Sequence, residues 1–288
     1  MTTYLGLFIA VLAVSWASIF IRWCGETPSL IIAFYRMWWS FLLFAGLSWR
    51  NKRRGGRFYH LQKREYLYVI AAGVLLALHF ATWIASLKFT TVAHSLTLES
   101  THPVFALLLS PWLLKEKGSW RSAVAVLLTF VGILIIAGLE FSFNSDQFTG
   151  DVLAVTSAVF VTLYLFVARH LRDKIDLVTY LTRVYGAAMV LLFIINLPAA
   201  YPLLDYPWQV HLMLLLLALI PTGLGHSLFN WAVRRITAYK VNLSILGEPV
   251  LASVLAYLFF QEIPKGWFYP GAFFILSGIA IAASEQSR

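Results

Sequence analysis

Two stretches of the 288-residue chain place ionisable groups inside runs that are otherwise apolar. In the first, Ser95, Glu99 and His102 stand at i, i+4 and i+7, which sets them on one face of a helix. Glu99 and His102 are one turn apart, within reach of a hydrogen bond. Such a pair can take up or release a proton near neutral pH, where imidazole titrates. A purely structural pair, tying this helix to a neighbour, has the same spacing, and both readings stay open. In the second stretch, Ser244 and Glu248 stand at i and i+4, and Glu248 precedes Pro249. A proline inside a helix frees a backbone carbonyl and permits a kink. A carboxylate beside that kink suits a cation or an ammonium group; the bland alternative is a packing kink with Glu248 bonded to the next helix.

A second tier surrounds these. His79, Trp83 and Ser86 share one helix face, and His226 and Asn230 occupy matching places later in the chain. A Trp near a His and a carboxylate can wall a cavity for an amphipathic or aromatic solute. A lone His on an apolar helix is more often a packing group, but here it occurs twice. Arg36 and Arg183 each lie about two turns inside a helix. Either could hold a substrate carboxylate; snorkelling or pairing with a Glu is the favoured role. Ser15, Trp16 and Ser18, with Thr156, Ser157 and Tyr164, could line a path or pack helices.

The elements that carry these groups follow from composition. The chain is 60% hydrophobic and 12% charged, with a mean hydropathy of +0.77. A water-soluble domain is about half apolar and a quarter charged. A lipid environment removes the conflict. Ten apolar runs, roughly 3–22, 29–48, 66–86, 91–114, 119–138, 149–168, 177–197, 209–232, 238–260 and 267–284, match the length of a membrane-spanning helix. They lack the alternation of a membrane barrel. With the N-terminus inside, 17 of the 22 Lys and Arg fall on the cytoplasmic side. Arg22, Lys88 and Lys265 fall outside, and Arg36 and Arg183 lie within helices. That asymmetry follows the positive-inside rule and puts both termini in the cytoplasm. It also accounts for the net charge of +9 through lipid-facing loops, not nucleic acid. The first run lacks a charged leader and reads as a retained helix, not a signal peptide. The single cysteine, Cys24, supports neither a disulfide nor a zinc site, and reads as a small buried hydrophobe. Trp49 reads as an interfacial anchor. Glu116 and Glu262 sit at helix ends, where capping or pairing with Lys117 and Lys265 is expected.

The two halves resemble each other. Pro103-Val104 and Pro249-Val250, Ala106 and Ala252, Glu116 and Glu262, and Gly132 and Gly278 all keep an offset of 146; Arg36 and Arg183, and His79 and His226, keep 147. Five helices per half invert the second copy, a recurrent plan of secondary transporters. The expected architecture is therefore an all-α integral membrane protein of ten transmembrane helices in a 5+5 inverted repeat. Residues 1–141 form the first repeat and 142–288 the second, within one membrane domain.

The stretch Thr90-Thr91-Val92-Ala93, then Pro103-Val104-Phe105-Ala106 and Leu113-Leu114-Lys115-Glu116, resembles the EamA repeat of the drug/metabolite transporter superfamily. Its second copy runs Ile236-Thr237-Ala238-Tyr239, Glu248-Pro249-Val250-Leu251-Ala252 and Phe259-Phe260-Gln261-Glu262, and Phe34-Tyr35-Arg36 is similar to that family's second helix. The resemblance implies a 5+5 fold with cytoplasmic termini and transport of small metabolites, often export of amino acids. His102 stands where the second copy has Glu248, a departure that bears on substrate or coupling.

There is no Walker A motif, no His-Glu-x-x-His and no Gly-x-Ser-x-Gly elbow. The expectation is a carrier, not an enzyme, in a bacterial inner membrane. It needs no metal or cofactor, meets a small-molecule substrate and lipid, with protons as candidate coupling ions, and works as a monomer or a homodimer. A passive channel, or a non-transporting enzyme or scaffold, is the alternative.

Overall fold

The computed structural model describes residues 2–54, 61–89, 92–116, 119–137, 145–171, 173–261 and 266–284, and among these it is helical with no strand. Each of the ten apolar runs is helical in its described part. Six are single helices: α3 (Ser29–Arg53), α4 (Lys63–Phe89), α7 (Trp120–Ala137), α8 (Ser145–His170), α9 (Leu177–Ala199) and α14 (Phe268–Ser284). The other four are interrupted. The first run is α1 (Thr3–Val14) then α2 (Ala17–Trp23). The fourth is α5 (Val92–Glu99) then α6 (His102–Leu113). The eighth is α10 (Trp208–Leu217), a π-helical turn (Ala218–His226) and α11 (Ser227–Val233). The ninth is α12 (Ala238–Ile245) then α13 (Gly247–Phe260).

Seven stretches of 21 to 27 residues are long and apolar enough to cross a membrane, and His102–Leu113, Trp120–Ile135 and Phe268–Ser284 are shorter apolar helices. At 1.5 Å per residue the seven span about 30–40 Å, the depth of a hydrocarbon core. The chain is therefore a multi-pass membrane protein.

The interruptions have local causes. Pro103, Pro221 and Pro249 have no N–H to give to the carbonyls of Glu99, Leu217 and Ile245 four residues earlier. No proline breaks the first run. There the Ser15 hydroxyl donates to the Val11 carbonyl at 2.7 Å, and the Trp16 amide turns to the Ala13 carbonyl at 3.4 Å; such back-bonding bends helices.

Helices pack as α4 along α8, α3 along α9 and α7 along α14. The last pair is drawn tight by glycine. A Cβ at Gly132 would sit 2.5 Å from the Gly271 carbonyl oxygen, and one at Gly278 would sit 2.5 Å from that of Ala125. Small residues replace the missing hydrophobic drive between helices in lipid. α6 packs on α12, whereas α5 packs on α4, α7 and α8, and α13 on α1, α2 and α14. The two broken helices thus lie together at one end and take different neighbours at the other.

Cys24 is buried and Trp49 exposed, as expected; Arg53 lies over the Trp49 ring at 3.9 Å. Lys240, counted above with the loop cations, is instead buried in the first turn of α12. Thr90, Thr91, Lys117, Glu262, Lys265 and Arg288 lie outside the described residues.

Candidate functional site

The breaks converge. Val14 and Ala17 flank the first, Glu99 ends α5, His226 ends the π turn, and Ile245 and Glu248 straddle the break between α12 and α13; all six line one cavity. Arg36 of α3, His79, Phe80 and Trp83 of α4, Val161 of α8 and Phe229 of α11 complete it. Six of the residues singled out from sequence are therefore brought together: Arg36, His79, Trp83, Glu99, His226 and Glu248. The cavity measures about 30 Å³, room for water but far below the roughly 300 Å³ of a small-molecule pocket. In this conformation the site is too narrow for a metabolite.

Arg36 is 1% exposed. Its Nε donates to the Thr222 hydroxyl at 2.6 Å, and its guanidinium lies 4.0 Å above the Phe80 ring. Thr222 is held in turn, its hydroxyl donating to the Leu217 carbonyl at 3.2 Å, the group that Pro221 leaves without its usual amide donor. Close approach of α1 to this turn depends on Gly225, where a Cβ would meet Val14 Cγ1 at 2.6 Å. A π turn of this kind often marks a functional position.

His79 is anchored by Ser157, its Nδ1 lying 2.8 Å from the hydroxyl, and its ring lies parallel to Trp83 at 6.5 Å between centroids. The two repeat-matched imidazoles, His79 and His226, meet at 6.4 Å. Asn230 donates to the Tyr164 hydroxyl at 2.5 Å and to the His226 carbonyl at 2.7 Å. Ser15 Oγ lies 3.5 Å from the Glu248 carbonyl oxygen.

The hydrogen bond that the spacing of Glu99 and His102 allowed is not made. The helix breaks between them, at Ser100-Thr101, and His102 turns its Nδ1–H to Asn242 Oδ1 of α12 at 3.1 Å; its Nε2 has no partner. Ser95 meets Ser86 at 2.6 Å. Arg183 lies apart, over the Tyr66 ring at 5.0 Å, and Trp16 stacks on Phe20 and meets Phe259 at a tilt instead of lining the cavity. Thr222 and Asn242 are polar residues that sequence reasoning passed over. Thr222 carries a signal, directly following a proline inside an apolar run; Asn242 carries only its depth.

A second pocket, about 610 Å³, lies between α3, α9 and α10 and includes Phe34, Tyr35, Trp38, Phe193 and His211. Its walls are almost wholly apolar, and the Tyr35 hydroxyl is spent on the Leu203 carbonyl at 2.5 Å. It lacks the convergent charge of the central cavity.

The model of the EamA-like transporter family matches residues 1–138 and again 148–284. The chain belongs to the EamA-like transporter family. The chain is 23% identical to the uncharacterized transporter YxxF of Bacillus subtilis, over 88% of this chain and 81% of that one. It is 24% identical to human solute carrier family 35 member G1, over 98% of this chain and 80% of the other. A solved crystal structure at 18% identity superposes with a TM-score of 0.82, covering 97% of this chain and 96% of that one; it shows the same fold. The double match of the EamA-like model falls on the two stretches that hold the matched prolines. The narrow cavity is thus found in a membrane transporter.

Proposed function

We propose that the chain is a secondary carrier that moves a small amphipathic metabolite, an amino acid or a related compound, by alternating access. The observation that carries the reading is the meeting of four interrupted helices at one charged cavity. Interrupted helices expose backbone and side-chain polar groups at mid-membrane only where a site or cavity accepts them. Ten membrane-spanning helices in a 5+5 inverted repeat, with both termini in the cytoplasm of a bacterial inner membrane, supply two near-equivalent packings of such a site. On this topology the packed halves, α6 and α12, lie on the cytoplasmic side. Glu248 and Glu99 recognise the substrate amine or carry the coupling proton, and His102 links α6 to α12 through Asn242. His79, Trp83, His226 and Asn230 shape the wall. Export is the proposed direction, set by the gradients the cell maintains. A constriction to about 30 Å³ favours a carrier over an open channel.

Counterflow in liposomes tests this. Purified protein loaded with unlabelled solute is offered labelled amino acids one at a time. Saturable counterflow of one class, abolished by Glu248→Gln in a folded protein, is the expected result. Linear, non-saturating flux would make the protein a channel, and no flux of any solute would return it to the scaffold alternative.

A further inference from the structure

We propose that Arg36, positioned by Thr222, is a carboxylate-binding group, and that the ligand of the central cavity carries a single carboxylate on an apolar body. This rests on the carrier reading of the same cavity and names the chemistry that the cavity selects.

The argument begins with unmatched hydrogen-bond donors. Arg36 Nη1 and Trp83 Nε1 are both buried and have no hydrogen-bond partner. Both side chains line the cavity. Buried donors are almost always paired, so two unpaired N–H groups on one cavity wall call for an acceptor. Neither Glu99 nor Glu248 supplies it: no ion pair joins Arg36 to a carboxylate among the described residues.

The fork is also aimed. Nε is committed to Thr222 and the guanidinium face to Phe80. With one edge and one face fixed, the planar group keeps its two terminal nitrogens in a set direction, the arrangement that receives a carboxylate through two parallel bonds. Thr222 holds this orientation because its own hydroxyl is fixed to the Leu217 carbonyl. It is a positioning residue, not a ligand.

Charge and wall chemistry narrow the anion. Glu99 and Glu248 border the same cavity as Arg36. A dianion such as phosphate would meet two acidic residues with one cation to offset them; a monocarboxylate places one charge on Arg36 and leaves the acidic side for an ammonium group. Phe80, Trp83, Val161 and Phe229 supply walls for an apolar body.

The test uses the full chain in lipid nanodiscs and liposomes, with paired probes: phenylalanine and phenethylamine, leucine and isoamylamine, and 3-phenylpropionate. Binding is read as ligand-induced stabilisation, transport as inhibition of counterflow. The wild type should prefer each amino acid over its decarboxylated partner by about tenfold or more, a ratio of the size a charge-assisted bidentate contact gives. Arg36→Gln should bring that ratio close to one. Thr222→Val should weaken the carboxylate probes by about tenfold and leave the amines unchanged, with Thr222→Ser restoring the ratio. A merely structural role would lower all probes together. The proposal is overturned if the ratio survives both Arg36→Gln and Thr222→Val, if the amines bind as well as the amino acids, or if no carboxylate probe stabilises the wild type. Saturable counterflow of an amine alone would sink this assignment and leave the carrier standing; carboxylate binding without counterflow would do the reverse.

Discussion

Where α6, α8 and α11 end and α12 begins, Glu116 divides its carboxylate between two elements. One oxygen accepts from Arg169 Nε at 2.7 Å and the other from the Ala238 amide at 3.0 Å. Arg169 also donates to the Val233 carbonyl at 3.0 Å. The central cavity holds similar groups, one Arg and two Glu, with the opposite outcome: Arg36 Nη1 and Trp83 Nε1 keep donors without acceptors. A buried polar group left unmade costs about 1–3 kcal/mol. The Glu116 carboxylate is bonded on both oxygens, whereas two unmet donors share one wall of the cavity, and that convergence marks the middle as the place where a ligand completes the bonding. The contrast separates polar residues that hold the helices from polar residues that wait for a partner.

The largest effect that could break this contrast is functional. Glu248→Gln should lower counterflow by about two orders of magnitude, near 3 kcal/mol of lost stabilisation, with little change in the unfolding temperature. A large fall in stability with flux retained would move Glu248 into the structural class. The next effect lies at the other cluster and is structural. Arg169→Ala leaves the Glu116 carboxylate with only the Ala238 amide, and should cost about 1–3 kcal/mol, discounted because both side chains remain slightly exposed. Chemical denaturation in mild detergent measures it, and a cycle with Glu116→Gln should show the two changes to be strongly non-additive. Additive losses would mean that the pair does not act as a unit.

Asn242→Leu tests an intermediate case. His102 has one nitrogen satisfied by Asn242 and one, Nε2, without a partner. Removing the amide should cost about 1–2 kcal/mol and loosen α6 from α12. If proteolysis or hydrogen exchange finds these helices no more open, the bond does not secure that end.

Much of this was legible in the sequence, and the limits have physical reasons. The apolar runs are helical in their described parts because lipid offers the backbone no other partner. Pro249 signalled its kink, and Pro103 stands at the matching place of the first repeat. The break at Ser15-Trp16 did not show, since it has no proline; Pro221 marked the eighth run but was passed over, and the π turn it sits in also packs against α1 and α3. Arg36 was visible as a charge at depth, but its contacts with Thr222 and Phe80 came only from the fold. The Glu99 and His102 spacing misled because it assumed an unbroken helix. Glu116 read correctly as a helix-end group, but its bonds to Arg169 and the Ala238 amide did not show, because those residues are distant in sequence and near only in the fold.

The smallest expected effect concerns the junction of α2 and α3, at the opposite end from Glu116. Cys24 is 2% exposed there, its carbonyl accepting from the Thr27 hydroxyl at 2.7 Å. Burial disfavours the charged thiolate and pushes the thiol up to about 12. The reactive form is thus scarce at pH 7.5 and grows only as pH climbs toward that value. Maleimide should label the native protein barely at all at pH 7.5 and fully in sodium dodecyl sulfate, with mass spectrometry as the readout. Rapid native labelling would show that this junction opens while the Glu116 end stays bonded. A rate that then changed on adding phenylalanine would tie the opening to the central cavity, making the two ends unequal in mobility as well as in bonding.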